Sequence, residues 1–233
     1  MLLINLRGLK KAVHIFFLCL VLPWLAGCAS DGFGRHNFAR WEKAVRVIEQ
    51  QNAKSPPAPG AIVFTGSSTV VRWKTLAKDF PNLPVLNCGF GGSQIVDATH
   101  FADRIIFPYS PKMVLLRAGG NDLWAGKPPA EVADDFKEFA ETVHDKLPAA
   151  KIVFISLSPS LARWKQHDRE KELNALVAEY IANKPWLEYV ETYDLPLGTN
   201  GLPRRELFVS DKLHFNAAGY KLLADRVRPS LPK

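Results

Sequence analysis

Cysteine is scarce in this sequence, and its few cysteines cannot form a disulfide framework. Three occur among 233 residues. Cys19 lies within an apolar N-terminal stretch and Cys28 lies just after it, so Cys88 has no cysteine partner in the rest of the chain. A lone cysteine excludes an internal disulfide, and the fold must therefore be stabilised by a hydrophobic core. Because Cys88 follows a predicted strand, we interpret it as a small buried apolar residue and not as a reactive thiol.

Clusters of one charge and metal-ligand motifs are also lacking. The chain carries 30 Lys+Arg against 23 Asp+Glu, a net charge of +7, but the basic residues form no block and no single basic helix face. This distribution argues against a nucleic-acid partner. No spacing such as His-Glu-x-x-His occurs, so we expect neither a metal nor another cofactor.

The apolar stretch near the N-terminus is too short to span a membrane. It runs from Ala12 to Leu25 and is interrupted by His14 and Pro23, whereas a membrane-spanning helix needs about 20 apolar residues. A basic start, a short apolar core and small residues at its end are typical of a secretory signal peptide. The basic residues are Arg7, Lys10 and Lys11.

The end of this stretch, Leu25-Ala26-Gly27-Cys28, resembles the lipobox of bacterial lipoproteins, in which the cysteine is acylated and becomes the new N-terminus. The resemblance implies attachment to a membrane through Cys28 in a bacterial cell envelope. Ala29 after the cysteine implies the outer membrane, with the protein facing the periplasm. An ordinary signal peptide with an incidental cysteine is the alternative. The expected organisation is a signal peptide over 1–27, a tether over 28–36 and a single domain over 37–233.

Apolar runs and amphipathic segments alternate over most of the remaining chain. Near-continuous Val, Ile, Leu and Phe runs are typical of parallel strands buried on both faces, and the alternation predicts an α/β fold with right-handed crossovers. The predicted strands are Ala61–Phe64, Pro84–Asn87, Lys112–Ala118, Lys151–Ser156 and Leu187–Tyr193. The predicted helices begin near Asn37 and otherwise cover Val70–Phe80, Ile95–Ile106, Ala130–Leu147, Asp168–Ala182 and Asn216–Val227, with Asn37 and Asn216 as N-caps.

Polar motifs stand after the predicted strands, where ligands bind in open parallel sheets. Taken singly, each motif is ordinary turn chemistry. Together they offer a nucleophile, a base, an orienting carboxylate and backbone amides, which are the components of an acyl-transfer site. The motifs are Gly66-Ser67-Ser68-Thr69, "NCGFGGSQ" over residues 87–94, "GGND" over residues 119–122, "SLSPSLARW" over residues 156–164, and Asp211-x-x-His214.

These motifs, in this order over roughly residues 61–229, resemble those of the SGNH/GDSL hydrolases, in particular the branch related to platelet-activating-factor acetylhydrolase subunits. The resemblance implies a flavodoxin-like, three-layer αβα fold with a five-stranded parallel sheet, and ester hydrolysis without a metal. It implies Ser68 as the nucleophile, His214 as the base and Asp211 as the orienting carboxylate. It further implies an oxyanion hole formed by the N–H groups of Ser68 and Gly92 and the side chain of Asn121.

The sequence departs from the family pattern directly before the nucleophile, where Ser67 replaces the usual aspartate. We expect Ser67 to be a structural hydroxyl that bonds a neighbouring loop, and Thr69 to cap the helix that follows. The Gly-x-Ser-x-Gly elbow of α/β-hydrolases is not matched, because Val70 stands two residues after Ser68.

Loops on the same side of the sheet hold candidate substrate contacts. Trp124, Arg163 and Trp164 are candidates for a sugar platform or an acyl wall, with simple packing as the alternative. Arg117, at the end of a strand, is interpreted as an ion-pair partner. The polar, Pro-containing loops favour a small or carbohydrate ester with a short acyl group such as acetyl. The alternatives are a lysophospholipase or lipase that acts on longer acyl chains, and a non-catalytic envelope binding protein on the same fold.

Overall fold

A five-stranded parallel sheet runs through the residues that the computed structural model describes, which are 36–58 and 60–232. The strands are β1 (Ile62–Gly66), β2 (Val85–Gly89), β3 (Met113–Arg117), β4 (Lys151–Ile155) and β5 (Leu187–Val190). Their order across the sheet is β2-β1-β3-β4-β5. Every neighbouring pair is parallel.

Helices cover both faces of this sheet and complete a three-layer αβα fold, which confirms the predicted fold class. The α-helices are α1 (Glu42–Lys54), α2 (Ser68–Val71), α3 (Leu76–Asp79), α4 (Ile95–His100), α5 (Ala102–Ile105), α6 (Gly120–Trp124), α7 (Pro129–Lys146), α8 (His167–Ile181) and α9 (Ala217–Val227). Short 3-10 segments lie at Phe38–Trp41, Phe107–Tyr109, Trp164–Gln166, Arg205–Leu207 and Arg228–Ser230.

Among the described residues, the hydrophobic core consists of two clusters, one on each face of the sheet. Successive strand residues alternate between the clusters, because side chains of a strand point to opposite faces with a period of two. On one face the strands pack against α1, α4, α5, α7 and α8, and on the other against α3 and α9. Each fully buried Val, Leu, Ile or Phe side chain contributes roughly 1.5–3 kcal/mol of transfer free energy. The first cluster takes Val63, Val114 and Phe154, and the second takes Phe64, Leu115 and Ile155.

The strand order creates a crevice at the carboxyl edge between β1 and β3. The chain leaves β1 towards β2 on one side, and then returns past β1 to form β3 on the other side. Such a reversal is the place where ligands bind in open α/β sheets. Gly66 and Arg117 are register partners at this edge. The segments that follow β1 and β3, which hold Ser68 and Asn121, therefore begin side by side.

The predicted helix Val70–Phe80 is wrong as a single element, since the chain forms α2 and α3 there with a turn between them. The side chain of Asn87 donates to the carbonyl of Val70 at 2.6 Å and to that of Trp73 at 3.4 Å. The indole of Trp73 in turn donates to the carboxylate of Asp79 at 2.6 Å. The two bonds from Asn87 take up backbone carbonyls that a continuous helix would pair along its own backbone.

Two of the other predicted helix starts have different outcomes. Asn216 is confirmed as the N-cap of α9, because its side-chain oxygen accepts the N–H groups of Ala218 at 2.9 Å and Gly219 at 3.2 Å. Asn37 makes no side-chain cap bond, and a 3-10 turn precedes α1, which begins only at Glu42.

Cys88 is buried near the end of β2, as its sequence context predicted, and no cysteine within the described residues pairs with it. Burial raises the pKa of its thiol to about 12, so the reactive thiolate is absent at neutral pH. In the described part of the chain, no helix combines the length and apolar character that crossing a bilayer requires. The predicted signal peptide, Cys28 and the tether up to residue 35 lie outside the described residues.

Candidate active site

The nucleophile candidate is positioned by a glycine turn at the end of β1. Gly66 has φ of +125°, a conformation that L-residues rarely adopt. A Cβ at this position would lie 2.2 Å from the carbonyl oxygen of Arg117, so only glycine fits against β3. The next residue, Ser67, donates its N–H to the same carbonyl at 3.1 Å. The chain therefore leaves the sheet sharply, and Ser68 begins α2.

Three side chains from two distant parts of the chain form a hydrogen-bonded row at this edge. Ser68 Oγ lies 2.9 Å from His214 Nε2. His214 Nδ1 lies 2.7 Å from Asp211 Oδ2. Both distances are within hydrogen-bond range. This is the geometry in which a histidine removes a proton from a serine while a carboxylate orients the ring.

Asp211 is held as an anion by the loop that carries it. Burial alone would raise the pKa of Asp211, but the side chain of His214 and the N–H groups of Leu213 and His214 outweigh burial and hold the pKa well below its usual range. The two N–H groups donate to Asp211 Oδ1 at 2.9 Å and 3.0 Å. Lys212, between these residues, has φ of +59°, so the tight loop requires a left-handed residue. The charged carboxylate favours a proton on His214 Nδ1 and leaves Nε2 free to accept from Ser68.

Asn121 lines the cavity beside Ser68 and is held by contacts on both ends of its amide. Its Nδ2 donates to the carbonyl of Ser93 at 2.9 Å, and its Oδ1 accepts from Arg163 Nη1 at 3.0 Å. An amide nitrogen has two hydrogens, so one donor remains for an oxyanion. Arg163, which the sequence analysis named as a candidate substrate contact, thereby orients the Asn121 amide.

Gly92 lies in the exposed turn between β2 and α4 and does not line the cavity at Ser68. Its φ is +80°, and a Cβ there would approach the indole of Trp41 to 3.0 Å. The same turn passes close to the nucleophile, because a Cβ at Gly91 would lie 4.0 Å from Ser68 Cβ. The structure thus brings the turn that carries Gly91 and Gly92 close to Ser68.

Asp122 is a site-supporting residue that the sequence reasoning did not single out. It is fully buried, and its Oδ1 accepts the N–H of Ile95 at the start of α4 at 3.1 Å. This bond ties the segment after β3 to the turn after β2. Burial raises the pKa of Asp122 to about 7. The only sequence signal was its place directly after Asn121 in "GGND".

The raised pKa of Asp122 predicts a pH dependence of stability. Above about pH 4 the unfolded chain ionises this carboxyl, while the folded chain keeps its proton up to about pH 7. The unfolded state then binds fewer protons, so this group lowers the free energy of unfolding as pH rises across that interval, by at most ~1.4 kcal/mol per pH unit. Urea denaturation at a series of pH values should give a shallower decline for Asp122→Asn than for the wild type.

The matched control is Asp134→Asn, which removes an exposed carboxylate from α7. That variant should keep the wild-type decline. Equal slopes for wild type and Asp122→Asn would contradict the assignment of the pH dependence to Asp122.

The three candidate substrate contacts do not lie together in the structure. Trp124 is 59% exposed, and the guanidinium of Arg163 lies 5.0 Å from its ring centroid. Arg163 lines the cavity. Trp164 does not line it; its ring stacks on His167 at 4.1 Å. Trp124 thus contacts a residue of the cavity wall, Arg163, without lining the cavity itself, and Trp164 packs on His167.

Three expected contacts around the nucleophile are not formed. The hydroxyl of Ser67 makes no hydrogen bond within the described residues, and its N–H anchors the turn instead. Thr69 lies inside α2 and does not cap it; its carbonyl accepts the hydroxyl of Tyr220 at 2.9 Å. Arg117 has no ion-pair partner among residues 36–58 and 60–232. It donates to the carbonyl of Ser156, to Thr192 Oγ1 at 2.9 Å and to Ser158 Oγ at 2.6 Å.

The cavity at Ser68 and His214 is small, about 70 Å³, and largely polar. Its inner wall includes Arg117 from β3 and two residues that sequence reasoning missed, Gln166 and Glu170. Glu170 shares the buried face of α8 with Leu173 and Val177. An acid at that helical spacing from apolar residues is a signal of a buried carboxyl. Among the described residues, no group of three His, Cys, Asp or Glu side chains is placed to hold a metal.

The fold and the site together define a class of protein. The fold has three layers with a parallel sheet in the middle. A serine, a histidine and an aspartate are hydrogen-bonded in a row at the switch point of that sheet, which is an arrangement typical of hydrolases. The chain belongs to the GDSL-like Lipase/Acylhydrolase family, whose profile matches residues 31–222. It is therefore assigned to the ester hydrolases.

Solved structures share this fold at low sequence identity. A protein from Streptococcus pneumonia, provisionally assigned as a platelet activating factor, is 22% identical with a TM-score of 0.74; the match covers 83% of this chain and 94% of that one. A GDSL-like lipase from Bacteroides thetaiotaomicron is 18% identical with a TM-score of 0.65, covering 83% and 96%.

A third solved structure is a mutant of an acetyl-xylooligosaccharide esterase from Geobacillus stearmophilus. It is 17% identical with a TM-score of 0.58, and the match covers 76% of this chain and 96% of that chain. Among curated proteins, none matches the sequence. The TM-scores show a shared fold, and at identities this low they do not show a shared substrate.

Proposed function

We propose that this protein is a serine esterase that works through an acyl-enzyme, with Ser68, His214 and Asp211 as its catalytic residues. The observation that carries the proposal is the unbroken row of hydrogen bonds from Ser68 Oγ through His214 to Asp211, at 2.9 Å and 2.7 Å. In this row the Asp211 carboxylate orients the ring of His214, and His214 Nε2 faces the hydroxyl of Ser68.

Catalysis begins when Ser68 Oγ attacks the ester carbonyl and His214 Nε2 takes its proton. Asp211 stabilises the imidazolium that forms. The N–H groups of Ser68 and Gly92, together with the remaining N–H of Asn121, are proposed to receive the oxyanion; losing one such donor typically costs about 2.7–4 kcal/mol of barrier. His214 then protonates the leaving alcohol, and water hydrolyses the acyl-enzyme by the same steps.

We infer a short acyl group, with acetyl on a carbohydrate as the leading substrate, in keeping with the platelet-activating-factor acetylhydrolase-like branch. The cavity of about 70 Å³ supports this inference, because a long acyl chain does not fit within it. The exposed Trp124, with Arg163 against its ring, is a surface on which a sugar can stack. The acetyl-xylooligosaccharide esterase of the same fold gives an example of such a substrate.

A series of p-nitrophenyl esters tests the acyl chain length. We expect kcat/KM to be highest for acetate and to be at least tenfold lower for octanoate, because the additional carbons of a longer acyl chain do not fit in the small cavity. The series is measured with the purified protein below the micelle concentration of each ester, and the best substrate is then compared with acetylated polysaccharides for acetate release.

One feature favours the alternative of a lipase or lysophospholipase. An apolar groove of about 680 Å³ passes beside the Gly91 turn and is lined by Trp41, Val47, Val71 and Leu76 among others. It has room for a longer chain that bypasses the small cavity. A clear preference for acyl chains of eight or more carbons would favour this alternative, and failure to hydrolyse any ester would favour a non-catalytic envelope binding protein.

We further propose that the protein is a lipoprotein of the bacterial outer membrane, attached through Cys28 and facing the periplasm. The sequence Leu25-Ala26-Gly27-Cys28 after a basic start and a short apolar core supports it. Two or more acyl chains anchor a protein stably where a single chain does not.

Replacing the anchor residue should move the protein without altering its chemistry. In Cys28→Ser we expect no incorporation of labelled palmitate and loss of the protein from the membrane fraction, with ester hydrolysis by the purified protein unchanged. Ala29→Ser serves as the control and should remain lipidated. A wild-type protein that is wholly soluble and begins at a residue other than Cys28 would refute the proposal.

A further inference from the structure

The inner wall of the Ser68 cavity holds buried polar groups that the acyl-transfer mechanism does not use. Gln166 and Glu170 are 5% and 4% exposed and lie on adjacent turns at the start of α8. Gln166 Nε2 donates to Glu170 Oε1 at 2.7 Å. Both residues line the same cavity as Ser68 and His214.

Each of these two side chains has one oxygen without a hydrogen-bond partner. Gln166 Oε1 and Glu170 Oε2 are fully buried acceptors to which no described residue donates. A buried acceptor that stays unpaired costs about 1–3 kcal/mol, so folded proteins seldom keep such groups without a ligand or water to pair with them. Because both residues line one cavity, their two unpaired oxygens indicate a place for a hydrogen-bond donor.

Two cations stand near this carboxylate without touching it. Arg117 and Arg163 line the cavity and act on Glu170 through their charge, yet neither lies within ion-pair distance of it in the described part of the chain. Arg163 uses Nη1 for Gly120 and Asn121, which leaves other guanidinium N–H groups for a ligand. The cavity therefore offers acceptors and donors at separate points of its wall.

We propose that this wall is a hydroxyl-binding subsite, and that the substrate carries a hydroxyl group within a few atoms of the scissile ester. A hydroxyl donates one hydrogen bond and accepts two, so it can donate to Glu170 Oε2 or Gln166 Oε1 and accept from Arg163. A methyl group would leave both oxygens unpaired, and a carboxylate would bring only further acceptor oxygens against them. The inference rests on the proposed esterase function and names a feature of its substrate.

The hydroxyl can belong to the acyl half or to the alcohol half of the ester. Three small esters separate these sources: ethyl acetate carries no hydroxyl, ethyl glycolate carries one on the acyl half, and 2-hydroxyethyl acetate carries one on the alcohol half. Hydrolysis of each is followed by pH-stat titration, and each kcat/KM is divided by the rate constant for alkaline hydrolysis of the same ester.

We expect one of the two hydroxylated esters to exceed ethyl acetate at least tenfold in this corrected kcat/KM. The preference should fall to about twofold or less in Gln166→Met and in Glu170→Met, which keep side-chain length but remove the acceptor oxygens. Glu172→Gln changes an exposed residue of the same helix and should keep the wild-type preference. Thermal denaturation of each variant identifies any that fails to fold, and either Met variant alone suffices for the test.

Two results would overturn the subsite. One is equal corrected rates for all three esters in an active wild-type enzyme, which would leave the esterase proposal intact. The other is a hydroxyl preference that survives in a folded Met variant. Absence of turnover for every ester, including p-nitrophenyl acetate, would instead overturn the esterase proposal and the subsite together.

Discussion

Replacing Ser68 with alanine is expected to abolish ester hydrolysis while leaving the protein folded. Ser68 Oγ is the atom within 2.9 Å of His214 Nε2, and without it no acyl-enzyme can form. Loss of the nucleophile in enzymes of this type lowers kcat by roughly four to six orders of magnitude. The change removes one partly exposed hydroxyl, so the free energy of unfolding should shift by only about 0.5 kcal/mol. Hydrolysis of p-nitrophenyl acetate, together with thermal denaturation, measures both effects.

The neighbouring serine provides the matched control. Ser67 contributes its N–H to the carbonyl of Arg117, and Ser67→Ala keeps that bond. We therefore expect Ser67→Ala to fold normally and to lose at most about tenfold in kcat/KM, since its hydroxyl lines the cavity without bonding to a described residue. An inactive Ser67→Ala beside an active Ser68→Ala would show that the nucleophile has been assigned one residue too late.

Replacing Gly66 with alanine is expected to destabilise the fold more than any surface substitution could. The new Cβ would stand 2.2 Å from the carbonyl oxygen of Arg117, and φ of +125° is unfavourable for alanine even without the clash. Gly66 and Arg117 lie in the paired strands β1 and β3, so neither backbone segment can move without breaking hydrogen bonds of the sheet. We expect a loss of about 4 kcal/mol or more in the free energy of unfolding, which corresponds to a Tm lower by about 10 °C or more in a domain of this size.

The variant Gly126→Ala separates the energetic cost of a positive φ from the cost of the steric clash. Gly126 also has positive φ, +100°, but a Cβ there would meet no atom within 4 Å. This variant should lose only the conformational term, about 1–2 kcal/mol. Differential scanning calorimetry of the two variants gives the comparison; a similar Tm for both would mean that contact with Arg117 does not determine the need for glycine at position 66.

The family assignment rests on the sequence profile, and the order of the strands agrees with it. The profile match and the sheet order identify a GDSL-like acylhydrolase. The serine mechanism, the short acyl group, the lipid anchor and the hydroxyl subsite are proposals, each with its own test. Ester hydrolysis by one purified protein measures the serine mechanism, the acyl length and the hydroxyl preference, whereas the lipid anchor is tested by Cys28→Ser.

The sequence by itself determined the fold class and the local parts of the site. Apolar runs of Val, Ile, Leu and Phe predicted the parallel strands, because a strand that is buried on both faces must be apolar at every position. Asp211 and His214 are three residues apart, so their contact is local and a single tight loop suffices to form it. The cap of α9 at Asn216 is local for the same reason.

Only the tertiary structure decided which distant groups meet. Ser68 and His214 are 146 residues apart, and their contact depends on the order of the strands and not on any local periodicity. The division of Val70–Phe80 into two helices depends on Asn87 in the neighbouring strand. Hydrophobic patterns specify which face of an element is buried, but they do not specify what lies opposite that face. The partners of Arg117, the stacking of Trp164 on His167 and the unpaired oxygens beside Ser68 follow from packing between elements, and no single stretch of sequence contains that information.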